Sequence, residues 1–186
     1  RKMFPYSKED YFYYTLGFNY DANAKCLLFD KFLCQSIPNQ ELQDIVAEYL
    51  GTIFIPNQAN TFQSEKFLAM QGKGSNGKGV LTKILTALFG KENVTSFGLD
   101  DLTDTQGNSR AMIENKLLNI ASETGRKLND NNFKILASGE EIMVKRLFKD
   151  VSLMSDYAKI IVSINKSFYG GDKTHAYYRR FMIIPF

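Results

Sequence analysis

The stretch KFLAMQGKGSNGKGVLTKILTALFG, at residues 66–90, decides the fold class of this chain of 186 residues. Its first apolar run, residues 67–70, predicts a buried β-strand, and residues 78–89 carry apolar side chains at helical spacing. The loop between them contains three glycines followed by a lysine: Gly72, Gly74, Gly77 and Lys78. A strand that passes through a glycine-rich turn into a helix is typical of a phosphate-binding loop.

This loop predicts the binding of ATP or a related nucleoside triphosphate. Glycines let the backbone curl so that its N–H groups point at phosphate oxygens, and the N-terminus of the next helix adds a favourable dipole. Lys78 would reach the β- and γ-phosphates. The alternative interpretation is a glycine-rich turn without a ligand. The candidate nucleotide-binding residues are Gly72, Gly74, Ser75, Asn76, Gly77, Lys78, Gly79 and Val80.

The helix after the loop should pack one face on the core, and its end is marked by a glycine. Gly90 stands in the position of a C-terminal cap. The apolar residues that the spacing places on the buried face are Val80, Leu81, Ile84, Leu85 and Leu88.

Gly79 departs from the usual phosphate loop, in which a Ser or Thr follows the lysine and ligates Mg²⁺. A magnesium ion would therefore need another ligand. Ser75, Thr82 and water are the alternatives, and the sequence does not choose among them.

Short apolar runs alternate with helical segments along the rest of the chain, which predicts an α/β fold with a mainly parallel central sheet. Residues 116–122 and 159–165 contain two further strand candidates. Glu123 follows the first and is the candidate carboxylate that activates water and binds the metal ion. Asn165 ends the second, where its amide would sense the γ-phosphate. Alternatively, both are ordinary loop residues.

The N-terminal third, residues 4–54, reads as mostly helical, most clearly at residues 41–50. Gly51 then predicts a left-handed cap. The polar, turn-prone residues 55–64 place a domain boundary there. We therefore expect a helical element at residues 1–62 and the ATPase core at residues 63–186, truncated at its C-terminal end. The apolar residues on one face of the clearest helix are Leu42, Ile45, Val46, Tyr49 and Leu50.

Composition excludes several classes of protein. The net charge of +3 is too small to argue for nucleic acid by itself. No apolar run approaches the ~20 residues that span a bilayer, and no signal peptide opens the chain, so we expect no membrane contact and a cytoplasmic location. With one histidine in the chain, Cys26 and Cys34 lack partners for a zinc site. We expect both to be reduced and buried.

Five motifs resemble, in order, the superfamily III helicase domain that follows primase modules in phages, plasmids and poxviruses. The segment before the phosphate loop, LFDKFLCQSIPNQELQDIVAEYLGTIF, resembles the helical domain that precedes this core. GKGSNGKG resembles its phosphate loop, in which glycine after the lysine is a known variant, and KLLNIASE resembles its acidic strand. FKILASGEEIMVKRLFKD is similar to a DNA-contacting hairpin, IIVSIN to a sensor motif, and YYRRFMIIPF to the stretch with an arginine finger.

The resemblance implies an AAA+-like P-loop NTPase that forms a homo-oligomeric ring, usually a hexamer. Such a ring hydrolyses ATP with Mg²⁺ and moves along single-stranded or forked DNA in the cytoplasm of a bacterial host. The resemblance assigns phosphate contact to Lys78, water activation to Glu123, sensing to Asn165 and the finger to Arg180, with Arg179 as the rival. A primase module is expected on the same longer, phage-, prophage- or plasmid-encoded chain.

Three cations lie within five residues of one another and would neutralise DNA phosphates: Lys145, Arg146 and Lys149. The alternative is that they form an ordinary solvated face. Two other functions share the phosphate loop: a small-molecule kinase, and a nucleotide-binding assembly module without hydrolysis, for which Gly79 argues. The kinase should lack the basic hairpin and the sensor asparagine.

Overall fold

The computed structural model describes residues 7, 9, 13–57, 65–122, 128–165 and 175–186. Within them the strands are β1 (Phe67–Gln71), β2 (Val94–Thr95), β3 (Leu118–Ser122), β4 (Ile142–Lys145), β5 (Val151–Met154), β6 (Lys159–Ile164) and β7 (Phe181–Pro185). Five of them form a sheet in the order β2-β3-β6-β1-β7, in which each neighbouring pair of strands is parallel. Strands β4 and β5 form a separate antiparallel pair. The predicted α/β class and mainly parallel sheet are therefore confirmed.

The strand that leads into the phosphate loop, β1, lies inside the sheet between β6 and β7. Leu68 pairs with Ile161 on one side and with Met182 on the other.

Helices lie on both sides of this sheet. They are α1 (Leu27–Ser36), α2 (Gln40–Thr52), α3 (Lys78–Phe89), α4 (Leu99–Thr103), α5 (Asp130–Ser138) and α6 (His175–Tyr178). Asn39 begins α2, because its side chain accepts hydrogen bonds from the N–H groups of Glu41 and Leu42. Asn129 caps α5 in the same way.

The two faces of the sheet belong to two separate apolar clusters, since successive side chains of a strand point in opposite directions. Leu68 and Met70 of β1 pack with residues of α1, α2 and α3. Phe67 and Ala69 pack with α4, α5 and the β4–β5 hairpin on the opposite face. The short strand β1 is thus buried on both sides, as expected for the inside of a parallel sheet.

The N-terminal helices share their core with the sheet. Val46 and Tyr49 are buried, and the Tyr49 hydroxyl donates a 2.7 Å hydrogen bond to the carbonyl of Ile160 in β6. Burial raises the pKa of Tyr49 far above its usual range, which keeps the phenol neutral. The predicted boundary between residues 62 and 63 lies outside the described residues.

Two N-terminal predictions are wrong. Gly51 is a helical residue inside α2 and not a left-handed cap, because the helix continues to Thr52. Residues 13–26, all of them described, form turns and irregular chain instead of helix. Aromatic residues supply contacts there without a helical repeat: Tyr14 packs on the cluster that contains Leu68 and Met70, and its ring lies 6.4 Å from that of Phe54.

The predicted buried face of α3 is too wide. Leu81 and Leu85 are buried and Ile84 is half-buried, but Val80 and Leu88 are exposed. The buried apolar stripe consists of residues spaced by four, Leu81, Leu85 and Phe89, and is therefore narrower than predicted. Gly90 ends the helix with a φ of 86°, which confirms the cap.

The predicted burial of the two cysteines is also wrong. Cys26 and Cys34 are both exposed, at the beginning of α1 and near its end. The apolar contacts of α1 come instead from Phe29, Phe32 and Leu33, which pack on the same cluster as Leu68 and Met70.

Among the described residues, no helix combines the length and apolar character needed to cross a bilayer.

Candidate functional site

The predicted phosphate loop lies at the carboxyl-terminal edge of the sheet, and both neighbouring strands hold it. The Gly72 N–H donates to the carbonyl of Ile164 at the end of β6, at 3.0 Å. On the other side, the Phe186 N–H donates to the carbonyl of Gln71 at 2.8 Å, and the Asn76 amide donates to the carbonyl of Phe186 at 3.0 Å. The loop is therefore fixed at both ends of its curve.

Lys78 lies at the start of α3 with its ammonium inside this curve. Its side chain is only 6% exposed. The ammonium donates to the carbonyl of Gly72 and, at 3.0 Å, to the side-chain oxygen of Asn76, with a longer contact to Lys73. These oxygens all belong to the loop itself, so the loop surrounds the ammonium.

Two glycines of the loop have no room for a side chain. A Cβ at Gly72 would lie 2.0 Å from the Asn76 amide nitrogen and 2.6 Å from the carbonyl oxygen of Phe186. Gly77 has a φ of 99°, in the left-handed region, and a Cβ there would lie 2.6 Å from the Ser36 hydroxyl. Gly74 and Gly79 have open space around them. Close packing thus explains why Gly72 and Gly77 are glycines, but it does not explain Gly74 and Gly79.

Two side-chain hydroxyls of the type that binds Mg²⁺, those of Ser75 and Thr82, lie in the loop or beside it. The Thr82 hydroxyl, one turn after Lys78, donates to the Lys78 carbonyl at 3.1 Å and keeps lone pairs for a metal ion. Ser75 is exposed, with a φ of 65°. The described residues contain no group of three or more His, Cys, Asp or Glu placed to hold a metal. Hydroxyl oxygens are the hard ligands that Mg²⁺ prefers.

The predicted catalytic acid, Glu123, lies outside the described residues, because residues 123–127 are not described. The strand before it, β3, ends at Ser122, and β6 lies between β3 and β1. Neighbouring strands lie about 4.8 Å apart, so the carboxyl ends of β3 and β1, two strand spacings from each other, are roughly 10 Å apart. Asn165 is exposed directly after β6, in the gap between these two exits.

The basic cluster lies on a hairpin, as predicted. Lys145 ends β4 and pairs with Val151 of β5. Lys145 and Lys149 are exposed, and within the described chain no ion pair involves either ammonium. They are therefore available to an anionic ligand.

Arg146 differs from these two lysines, because partners within the chain already hold its guanidinium. It forms an ion pair with Glu114, and its other amino group donates to the Ser152 hydroxyl at 2.9 Å. Both charged side chains are about 30% exposed. These contacts give Arg146 a structural role at the base of the turn. The sequence had no signal for this pair, which spans 32 residues.

The hairpin turn also carries apolar side chains that the sequence analysis did not single out. Phe148 is 97% exposed and has a left-handed φ of 58°. Leu147 beside it is 79% exposed. Phe148 lies between Arg146 and Lys149 in the sequence RLFK, residues 146–149. An exposed aromatic ring beside basic residues is common in surfaces that bind single-stranded nucleic acid, so this short run was the signal in the sequence.

The two candidate arginines for the finger differ in burial. Arg180 is 8% exposed and directly precedes β7, whereas Arg179 is exposed. The carbonyl of Arg179 accepts a 2.9 Å hydrogen bond from the Lys66 ammonium, and the carbonyl of Arg180 accepts from the N–H of Phe67. Exposure therefore favours Arg179 as the residue that could reach another subunit.

Comparisons with known proteins agree on the fold. Three structures of the C-terminal region of NrS-1 have TM-scores of 0.65, 0.63 and 0.64 at 19%, 17% and 18% identity. They cover 87%, 85% and 87% of this chain, which spans only 37%, 36% and 38% of theirs. At such low identity the likeness shows the fold alone.

One family model matches residues 70–180, and its description is "Family of unknown function (DUF5906)". The match runs from the end of β1 to Arg180 and so includes the phosphate loop and the hairpin. A search of curated proteins found no match.

Proposed function

The chain belongs to this family of unknown function, and we propose that it is the ATP-hydrolysing motor domain of a phage- or plasmid-type DNA helicase. The observation that carries the proposal is Lys78, a buried ammonium held by the oxygens of a glycine-rich loop at the carboxyl edge of a parallel sheet. Ligands of α/β folds usually bind at this edge.

The loop supports the binding of a triphosphate, because its parts can exchange internal contacts for ligand contacts. Phosphate oxygens would replace the carbonyl of Gly72 and the Asn76 oxygen on the Lys78 ammonium. The first N–H groups of α3 add the favourable end of a helix dipole. Phosphate binding would therefore neutralise the buried Lys78 ammonium with little movement of its side chain.

The hydrolytic step needs an oxygen base and an amide beyond the γ-phosphate. Glu123 would follow β3 and accept the proton of the attacking water, while Asn165, after β6, would orient that water or the γ-phosphate. The roughly 10 Å between the exits of β1 and β3 leaves room for both groups. Bound Mg²⁺ would supply charge neutralisation there, with Glu123 and the hydroxyl of Thr82 or Ser75 as its protein ligands.

The hairpin supports DNA as the second ligand. Lys145 and Lys149 are exposed, and the neighbouring Phe148 presents its ring to solvent. Lysines would neutralise phosphates, which are the same at every nucleotide, so the contacts suit movement along a strand. This feature separates the helicase from a small-molecule kinase.

Assembly into a ring would support hydrolysis, because one subunit would complete the ATP site of the next. We assign the finger to Arg179, because this residue is exposed, and we give the buried Arg180 a role in holding β7. A hexamer in the cytoplasm of a bacterial host, joined to a primase module, is the assembly that the helicase resemblance implies.

A nucleotide-binding assembly module without hydrolysis is the second candidate. Gly79 favours it, because the usual hydroxyl ligand of Mg²⁺ is missing at that position. In that case nucleotide would bind and promote assembly but would not turn over.

Single-turnover ATP hydrolysis with and without single-stranded DNA separates these functions. We expect hydrolysis that accelerates when DNA is added. A kinase would transfer phosphate to a small molecule without any effect of DNA. Tight ATP binding with no hydrolysis, with or without DNA, would overturn the helicase proposal in favour of the assembly module.

A further inference from the structure

Strand β5 has one edge that no other strand covers within the described chain. On its other side it pairs with β4, and the two strands form a separate sheet. Along an antiparallel strand, successive residues point their N–H and C=O groups alternately toward the partner strand and away from it. The contacts of β4 therefore show which backbone groups of β5 point to the open edge.

Two hydrogen bonds fix the orientation of β4. The Lys145 N–H donates to the carbonyl of Gly107 at 3.3 Å, and the Met143 carbonyl accepts a 2.8 Å hydrogen bond from the buried Arg110 guanidinium. Both partners lie outside the hairpin. The backbone groups of Lys145 and Met143 thus point away from β5, and those of Val144 between them point toward it.

The same alternation places the backbone groups of Val151 and Leu153 at the open edge. Val151 lies opposite Lys145 and Leu153 lies opposite Met143, so neither pair exchanges backbone hydrogen bonds. Among the described residues, no backbone hydrogen bond from outside the hairpin reaches Val151 or Leu153. Each residue supplies one donor and one acceptor, which an added strand would satisfy.

The side chains along this edge are apolar, although they are exposed. Val151 and Leu153 are 57% and 61% exposed, and Met143, opposite Leu153 on the same face, is 62% exposed. Edge strands usually carry a charge or a proline, which prevents pairing with another chain. The sequence of β5, VSLM, contains neither. This edge is therefore open to pairing with a further strand.

A second copy of β5 fits this edge when it runs antiparallel. If the two Ser152 residues face each other, Val151 of each copy lies opposite Leu153 of the other. These are the residues with backbone groups at the open edge, so each such pair would exchange two hydrogen bonds. Their apolar side chains would then lie side by side, which stabilises neighbouring strands. The edge is thus complementary to itself in hydrogen bonds and in side chains.

Charge also favours the antiparallel direction. The turn at residues 145–150, KRLFKD, carries three cations and one anion. Antiparallel strands place the two turns at opposite ends of the combined sheet, whereas parallel strands would place them side by side, where like charges repel. The combined sheet would have four strands in the order β4-β5-β5-β4. A two-stranded hairpin is only marginally stable by itself, so the wider sheet would stabilise it.

We infer that this chain forms a two-fold dimer through antiparallel pairing of its β5 strands, centred on Ser152. Both copies contribute the same patch, as a two-fold contact requires. The contact differs from the one proposed for Arg179, in which one subunit reaches into the ATP site of the next. It needs neither nucleotide nor DNA, so its test does not depend on the proposed function. Because the shared edge is short, the dimer is weak and forms at high protein concentration.

Disulfide trapping tests the register of this pairing. Directly opposed residues that exchange no backbone hydrogen bonds have Cα atoms about 4.5 Å apart, which is close enough for a disulfide. In a chain with Cys26→Ser and Cys34→Ser, Ser152→Cys should therefore give a disulfide-linked dimer under mild oxidation, seen on a non-reducing gel. Asp150→Cys in the same chain is the matched control, because residue 150 lies opposite Met154 of the second copy.

Leu153→Pro tests the hydrogen bonds without an introduced cysteine. Proline removes the N–H at the open edge and leaves the bonds between β5 and β4 intact. Sedimentation velocity over a range of protein concentrations should show dimers of the wild type, and the dimer dissociation constant should rise about tenfold or more in Leu153→Pro. Leu153→Val keeps the N–H and an apolar side chain, so it should dimerise like the wild type.

Amide exchange measures the same edge without any variant. In the wild type, the Val151 and Leu153 amides should exchange slowly at high protein concentration and rapidly after dilution. The Ser152 amide, which points toward β4, should exchange slowly in both samples. Exchange at Val151 and Leu153 that does not depend on concentration would overturn the dimer, as would equal trapping of Ser152→Cys and Asp150→Cys. A Leu153→Pro dimer as tight as that of Leu153→Val would place the contact elsewhere and remove β5 from it.

Discussion

The phosphate loop and the hairpin are both basic, but their lysines are held in opposite ways. Lys78 is 6% exposed and surrounded by oxygens of its own loop. Lys145 and Lys149 are exposed on a two-stranded element. A fixed, buried ammonium suits one ligand of defined geometry, whereas exposed lysines suit a polymer of repeated phosphates. The difference teaches that position in the fold, more than charge, decides whether a lysine is held by its own chain or left exposed to a ligand.

Lys78→Ala should break the loop side of this comparison most severely. Removal of the ammonium takes away the point charge on the β- and γ-phosphates, so ATP turnover should fall to background. Lys83→Ala, an exposed lysine of the same helix, is the matched control. Equal turnover in Lys78→Ala and Lys83→Ala would remove the loop from the mechanism.

Arg179→Ala should lower ATP turnover only in the assembled protein. An arginine supplied by a neighbouring subunit can contribute roughly 10³- to 10⁵-fold to the rate, so turnover should drop by that order while ATP affinity stays. Arg180→Ala is the comparison, and its main effect should be a lower thermal stability, because Arg180 is buried. Mixing Arg179→Ala with Lys78→Ala subunits should restore some turnover. If Arg180→Ala, and not Arg179→Ala, loses the ATP turnover of the assembled protein while its thermal stability is unchanged, Arg180 is the finger.

Gly72→Ala should show that close packing shapes the loop. A Cβ at this position would displace the Asn76 amide, and overpacking of this kind costs about 1–3 kcal/mol of unfolding free energy. Thermal denaturation measures the loss. Gly74→Ala, with open space around it, should unfold like the wild type. Equal stability of both variants would contradict the packing at Gly72.

The double variant Lys145→Ala and Lys149→Ala should sharpen the hairpin side. If each lysine neutralises one phosphate, the logarithmic salt slope for single-stranded DNA should lose about 1.4, or ~0.7 per contact. Fluorescence anisotropy at several salt concentrations gives this slope. An unchanged slope would return both lysines to an ordinary solvated surface.

Arg146→Met should have the smallest effect and separates structure from binding within the hairpin. Loss of a partly exposed ion pair with Glu114 should lower the unfolding free energy by about 1 kcal/mol or less. The salt slope for DNA should stay near that of the wild type. A slope change as large as that of Lys145→Ala would place Arg146 on the DNA.

Local pattern was sufficient for the loop and its flanking elements. An apolar run, three glycines and an amphipathic helix are contiguous in the chain, so β1, the loop and α3 could be predicted together. The strands that end near Glu123 and Asn165 were equally readable, since each is a short apolar run. The parallel sheet then brings these distant segments to one edge.

Contacts between distant residues could not be read in the same way. Arg146 was predicted as a DNA contact from its charge and its neighbours, and nothing in the sequence indicated its ion pair with Glu114, 32 residues away. Arg110 gave no local signal at all, because its buried guanidinium donates to backbone carbonyls of two segments, at Leu102 and Asp104 and at Met143. The predicted burial of Val80 and Leu88 was wrong for a related reason: helical spacing tells which residues share a face but not how wide the covering surface is.

Stimulation of ATP hydrolysis by single-stranded DNA tests the connection between the loop and the hairpin most directly. Steady-state turnover is measured against DNA concentration for the wild type and for the Lys145→Ala, Lys149→Ala double variant. We predict equal turnover without DNA, a rise with DNA in the wild type, and little rise in the double variant. Equal stimulation of both proteins, or no hydrolysis by the wild type at any DNA concentration, would contradict a DNA-driven motor.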